Sequence, residues 1–259
     1  MVRVVILSDN KVIALRPQGL KAEWGFSALV DDVLFDTGQT GVAFDNLLLL
    51  NLPMPKKIVL SHGHYDHTGG LLHFLREGVE IYAHPDAFLP RFYKGEYIGI
   101  PFRKERLEDK AKIVEHTEPL EIKKGVWALG EVPREFETAL LKDSFVIREG
   151  VKERDEIRDD QSLAVKTENG VLLVLGCCHS GLRNTVKWAE EVVGDEVRFV
   201  VGGTHLISFK PEEIREIVRK LDLELIAPCH CTGLKAEFVL KEIFGERFKM
   251  VGSGSVLDV

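Results

Sequence analysis

The chain has 259 residues, 45% of them hydrophobic, enough to fill one large α/β domain or two small ones, so a disordered polymer is excluded. A net charge of −7 argues against a nucleic-acid partner, because a phosphate backbone is met by clustered Lys and Arg. No stretch reaches the roughly 18 apolar residues of a membrane helix, and Met1-Val2-Arg3-Val4-Val5-Ile6-Leu7 carries no signal-peptide pattern, so no membrane partner and a cytoplasmic location are expected.

In chain order, strands are expected at Val2 to Leu7, Phe26 to Val30 and Asp32 to Phe35, the last running into Asp36-Thr37-Gly38. An apolar helix over Val42 to Leu50 follows, then a Pro53-x-Pro55 break and a strand over Lys57 to Leu60. A helix opened by His67, with Leu71, Leu72 and Leu75 at helical spacing, ends at Gly78 before a strand at Glu80 to Ala83. Residues 85–118 scatter Phe88, Phe92, Tyr93, Tyr97 and Phe102 among basic side chains and read as a surface excursion or a lid that stacks a flat ring. Further strands are expected near Val126 to Leu129, Phe145 to Arg148, Ser162 to Thr167 and Val171 to Leu175.

From there one unit recurs: strand, His-bearing turn, helix. It occurs at Cys177-Cys178-His179, at Gly202-Gly203-Thr204-His205 and at Cys229-His230-Cys231. Histidines at successive strand ends are how an α/β protein gathers remote residues into one site, which predicts two βα-rich halves facing each other with the site at their shared edge. The four cysteines are bunched rather than spaced as a disulfide framework, so reduced thiols are expected. Scarce Gln with 29% charged residues points to a heat-adapted source.

The densest chemistry is His62-x-His64-x-Asp66-His67, an H-x-H-x-D-H cluster directly after an apolar strand. Imidazole and carboxylate together suit a divalent metal, zinc first, with iron and manganese as alternatives. Side chains at i and i+2 can converge on one ion while the adjacent Asp66-His67 pair points elsewhere, so two neighbouring metals are expected. Four residues cannot complete two shells, which calls on His179 and His230. The expected allocation is His62, His64 and His179 on one metal and Asp66, His67 and His230 on the other. Cys177, or Asp159 or Asp160, is read as a completing ligand, and Asp36 as the acceptor that fixes a ligand imidazole. Asp66 and His205 are the candidate catalytic residues, His205 as a substrate contact or acid. Strand alternation predicts that Cys178, Cys229 and Cys231 point away from the metals. His73, His84 and His116 are read as ordinary packing or surface residues.

The run Ser61-His62-Gly63-His64-Tyr65-Asp66-His67-Thr68-Gly69-Gly70 resembles the signature of the metallo-β-lactamase superfamily. Trp24-Gly25-Phe26-Ser27, Phe35-Asp36-Thr37-Gly38-Gln39, Gly176-Cys177-Cys178-His179-Ser180-Gly181, Gly202-Gly203-Thr204-His205-Leu206 and His230-Cys231-Thr232-Gly233 extend the likeness almost end to end. They make it similar to one branch, the 7,8-dihydropterin-6-methyl-4-(β-D-ribofuranosyl)-aminobenzene-5'-phosphate synthase-like proteins. The resemblance implies an α/β fold, a four-layer αβ/βα sandwich of two mixed sheets flanked by helices. It would form a single domain over 1–259, with pseudo-equivalent halves at about 1–118 and 119–259. It also implies a metal-dependent hydrolase or transferase acting on a phosphorylated, ring-containing small molecule, the branch being named for joining a dihydropterin to an aminobenzene ribose phosphate in methanopterin biosynthesis. Two departures stand out: Cys177 occupies the place of the Asp that bridges both metals in the hydrolases, and Trp24 that of a branch histidine. Rival readings are an iron-dependent redox protein on the same fold and a non-catalytic, metal-stabilised binding module.

Overall fold

The computed structural model describes residues 1–259. Its first sheet has seven strands, in spatial order Val256–Asp258, Arg3–Ser8, Ser27–Val30, Val33–Phe35, Lys57–Val59, Glu80–Ala83 and Lys112–Glu115. The last four of these run parallel and the others pair antiparallel. A second sheet of six strands runs Leu225–Cys229, Val197–Gly203, Gly170–Leu175, Ser162–Thr167, Val126–Ala128 and Leu120–Lys123, the first three parallel.

Period-two alternation explains the layering. Along Arg3–Ser8, Val4 and Ile6 enter a core shared with Leu163, Val165, Leu172 and Val174 of the opposite sheet. Val5 and Leu7 point the other way, into a core with Ala43 and Leu47 of the helix Val42–Leu49. In the second sheet Val171, Leu173 and Leu175 meet the helices Leu182–Val193, Pro211–Val218 and Leu234–Phe244. Strands apolar on both faces are what a sheet covered on both sides requires. The result is helix, sheet, sheet, helix: the four layers expected. The division between sheets falls near residue 118, except that Val256–Asp258 returns to the first sheet.

Three expectations change. The helix placed at His67 is two short helices, Tyr65–Thr68 and Leu71–Phe74, separated by Gly69 and Gly70. A side chain at either glycine would meet backbone oxygen of Gln39 or Thr37 at 1.9 and 2.1 Å, so close backbone approach interrupts the helix. Within 85–118, Lys112–Glu115 is an edge strand of the main sheet, whereas Arg91–Tyr93 and Glu96–Tyr97 join Ser144–Arg148 and Val151–Arg154 in a separate four-stranded sheet. Phe92 stacks on Phe145 at 4.9 Å and meets Tyr97 edge-on at 5.4 Å, so one face of Phe92 is covered by protein rather than offered to a ligand.

Candidate metal centre

Five of the seven parallel strands deliver a polar residue to the same edge. Asp36 follows Val33–Phe35, His62 follows Lys57–Val59, Cys177 and His179 follow Gly170–Leu175, His205 follows Val197–Gly203 and His230 follows Leu225–Cys229. Tight turns aim these side chains, and Cys178, His205 and His230 sit at φ 60°, 50° and 50°. Left-handed backbone at a non-glycine residue costs on the order of 1 kcal/mol or more, and such strain gathers at functional sites.

The structure brings His62, His64, His179, Asp66, His67 and His230 together. His62 Nε2 lies 2.8 Å from His64 Nδ1, and the His179 ring is 5.1 and 5.2 Å from those of His62 and His64. Asp66 Oδ2 is 3.5 Å from His230 Nε2 and 4.0 Å from His67 Nε2. Cys177 Sγ belongs to both groups, within 4.8 Å of donor atoms of His62 and His179 and of His67 and His230. It is 3.2 Å from His67 Nε2.

Outer hydrogen bonds set each ring. His67 Nδ1 donates to Asp36 at 2.6 Å, His179 Nδ1 to the Ala139 carbonyl at 2.9 Å and His230 Nδ1 to Asn10 Oδ1 at 3.2 Å. His62 Nδ1 meets Ser61 Oγ at 2.8 Å. These bonds leave the Nε2 lone pairs turned inward. Asp36 also accepts from the Ser61 amide and hydroxyl at 2.7 and 2.6 Å. Asp160 has both oxygens on backbone amides, of His179 and Ser180, so it holds the turn rather than facing the centre as a ligand. Asp159 accepts from the Gly63 amide at 2.7 Å and from the buried Arg91 at 2.8 Å.

Burial pushes His62 and His179 well below the ordinary histidine range and His64 to about 3, helped at His64 by Arg91. Burial opposes charge at His67 too, but the Asp36 and Asp66 carboxylates outweigh it and raise His67 to about 9. For Asp66, burial is overcome by His67, His230 and His64, and the carboxyl is held below its usual range. The residues fit a divalent metal pair by their own chemistry: Nε2 of His64, His179 and His230 is buried without a hydrogen-bond partner. Such groups are costly unless something at the centre satisfies them.

Besides Asp160, a second sequence expectation is overturned. Cys231 does not point away: its Sγ forms a group with Cys177 and His205, all donor atoms within 4.8 Å. Strand alternation fails there because His230 takes the left-handed conformation and His230–Thr232 is a 3-10 turn. Burial resists ionising either thiol, yet the Cys177 thiol and His205 together hold Cys231 well below the ordinary cysteine range. Reading the sequence also missed Asp9 and Asn10, which bind the His230 amide and ring; the polar run Ser8-Asp9-Asn10 closing an apolar strand was the available signal. Nothing local could have flagged the Ala139 carbonyl. His84 is buried, as a packing reading allows, and accepts the Asp86 amide at 3.0 Å.

Beside the centre, Trp24 is half exposed with its ring 5.6 Å from His230. Ile207 and Leu234 are also exposed, Ile207 packing close against Gly233. No helix of the structure is long and apolar enough to cross a membrane.

Comparison with known proteins accords with this geometry. The chain is 36% identical over 247 residues to an uncharacterized protein of Methanocaldococcus jannaschii, covering 89% of this chain and 94% of that one. It is 34% identical over 247 residues to the 7,8-dihydropterin-6-methyl-4-(beta-D-ribofuranosyl)-aminobenzene-5'-phosphate synthase of the same organism, covering 87% and 83%. The crystal structure of Tm1679, described as a metal-dependent hydrolase of the beta-lactamase superfamily, superposes with a TM-score of 0.91 at 32% identity, covering 100% of this chain and 99% of that one. A family model for the metallo-beta-lactamase superfamily matches residues 29–161, and the chain belongs to that superfamily.

Proposed function

We propose that the chain is a metal-dependent transferase acting on a phosphorylated small molecule with a flat ring, in the manner of the dihydropterin synthase it resembles. The observation that carries this reading is the meeting of two donor trios, His62, His64, His179 and Asp66, His67, His230, in which Nε2 of His64, His179 and His230 is buried with no hydrogen-bond partner. These residues would hold divalent ions, which when bound would supply Lewis acidity toward phosphoryl oxygen and offset the charge of a pyrophosphate leaving group.

The remaining work falls to the chain. Asp36, Ala139 and Asn10 keep the proton on the outer nitrogen of His67, His179 and His230, so each ring presents a lone pair. Asp66, held ionised, is the anionic oxygen among the donors and balances the charge of the ions they would hold. Trp24, with Ile207 and Leu234, offers the apolar surface on which a heterocycle stacks and excludes water. Transfer is favoured over hydrolysis by the 34% identity to the synthase and by a thiol, Cys177, where hydrolases carry a bridging carboxylate.

The test is to supply metal-loaded protein with a dihydropterin bearing a pyrophosphorylated methyl group and with ribofuranosyl-aminobenzene phosphate. Coupled product and pyrophosphate in equal amounts, abolished in Asp66→Ala, are expected. Phosphate-ester cleavage by water with no coupling would make it a hydrolase. No turnover on a broad panel, with chelation only unfolding the chain, would make it a binding module.

A further inference from the structure

Beside the two histidine trios lies a third convergence. Cys231 and His205 come from the turns after two adjacent parallel strands, and Cys177 from the turn after the third. Their donor atoms lie within 4.8 Å of one another. Cys177 and Cys231 are buried, and His205 Nδ1 is buried with no hydrogen-bond partner.

The surrounding backbone admits these side chains specifically. A side chain at Gly203 would stand 2.2 Å from the Gly176 carbonyl and 2.7 Å from Cys231 Sγ, so glycine there lets the two strand ends approach with the thiol lying against them. Thr232 Oγ1 accepts from the Thr204 amide at 3.1 Å and pairs with the Thr204 hydroxyl at 3.0 Å, which locks the His205 turn to the Cys231 turn. His205 is itself held in left-handed backbone at φ 50°. A thiol filling core space asks for none of this; Cys229, buried in the inter-sheet core at the end of the preceding strand, has no such company.

We propose that Cys177, Cys231 and His205 hold a third divalent cation, of the thiophilic class to which zinc and cadmium belong. Cys177 is shared with the histidine centre. Two thiolates and one imidazole are a soft donor set, and ion binding releases the Cys177 thiol proton to solvent. This gives His205 a ligand's place rather than that of an acid. The inference does not depend on which reaction the neighbouring centre performs.

The probe is cadmium, added to reduced, metal-stripped full-length protein while the ultraviolet thiolate-to-metal band is followed, with zinc stoichiometry measured in parallel. Cys231→Ser and Cys231→Ala are expected to lower the band to about half, one thiolate of two remaining, and to remove one equivalent of zinc. His205→Ala is expected to remove the same equivalent. Cys229→Ser, a control of equal burial, leaves both readings unchanged. His64→Ala separates this inference from the proposed function: it depletes the histidine centre of zinc while the thiolate band persists. An undiminished band and zinc content in both Cys231 variants would overturn the proposal and make Cys231 a packing thiol. A band lost equally in His64→Ala would overturn it too, because Cys177 would then ligate only within the histidine centre.

Discussion

At the carboxyl ends of the parallel strands the chain places buried His, Asp and Cys; at the amino ends it places ion pairs that solvent reaches. Glu80 there pairs with Lys57 and Lys112 at 2.8 and 3.0 Å, and Arg198 with Asp222 and Glu224 at 2.7 and 2.9 Å. The strands are the same, so the difference lies in the surroundings. Water screens the amino-end pairs and lets each partner find substitutes. At the other edge a polar atom has only the partners the fold supplies, and the nitrogens left over converge on one space.

The sharpest way to break this contrast is to substitute at the buried edge. His67→Ala is expected to lower metal affinity by more than about 100-fold, and Asp36→Asn, which perturbs only an outer bond, by about 10–100-fold. Metal titration of the purified variants checks the ranking. Next in size is Arg91→Ala. Arg91 is buried against Asp159 at 2.8 Å, and Asp159 holds the Gly63 amide. Leaving that carboxylate without its partner should cost about 3–5 kcal/mol in denaturant unfolding.

The pH dependence of metal-free protein comes third. His64 falls from its ordinary 6.5 to about 3 on folding. Its contribution to stability is therefore complete above 6.5 and lost as pH falls from 6.5 toward 3, by a few kcal/mol. His67 runs the other way. Raised to about 9, it contributes below 6.5 and loses that contribution as pH rises to 9. Urea midpoints of the metal-free protein should therefore be greatest near 6.5. Metal loading displaces the His67 proton and should abolish the alkaline decline; an alkaline decline unchanged by metal would tell against His67 as a ligand.

The smallest effect is expected at the amino ends. Glu80→Gln should cost less than about 1 kcal/mol, because solvent screens the pair. Hydrogen bonds from Lys57, Tyr82 and Lys112 hold Glu80 at about 2 against an ordinary 4.5. That contribution is present above 4.5 and fades as pH falls toward 2. A Glu80→Gln loss as large as that of Arg91→Ala would erase the distinction between the two edges.

The layered fold was legible because both-face apolar runs such as Val171 to Leu175 can only be covered strands, and the centre because His62, His64, His179, His205 and His230 all come after such runs. The features that escaped had identifiable causes. Lys112–Glu115 and Val151–Arg154 are edge strands with mixed or exposed side chains, and so lack the apolar signal. Gly69-Gly70 broke a helix through contacts with Gln39 and Thr37, remote in sequence. Cys231 was misplaced because alternation holds only on extended backbone, and a left-handed His230 rotates the next side chain out of register.

His62 and His64 follow a strand of the seven-stranded sheet, whereas His179 follows a strand of the six-stranded sheet; Asp66 and His67 meet His230 in the same fashion. Neither half on its own holds a full set of donors. A bound ion is thus a rivet driven through the seam between the two sheets, and capturing it clamps together stretches of polypeptide more than a hundred residues apart.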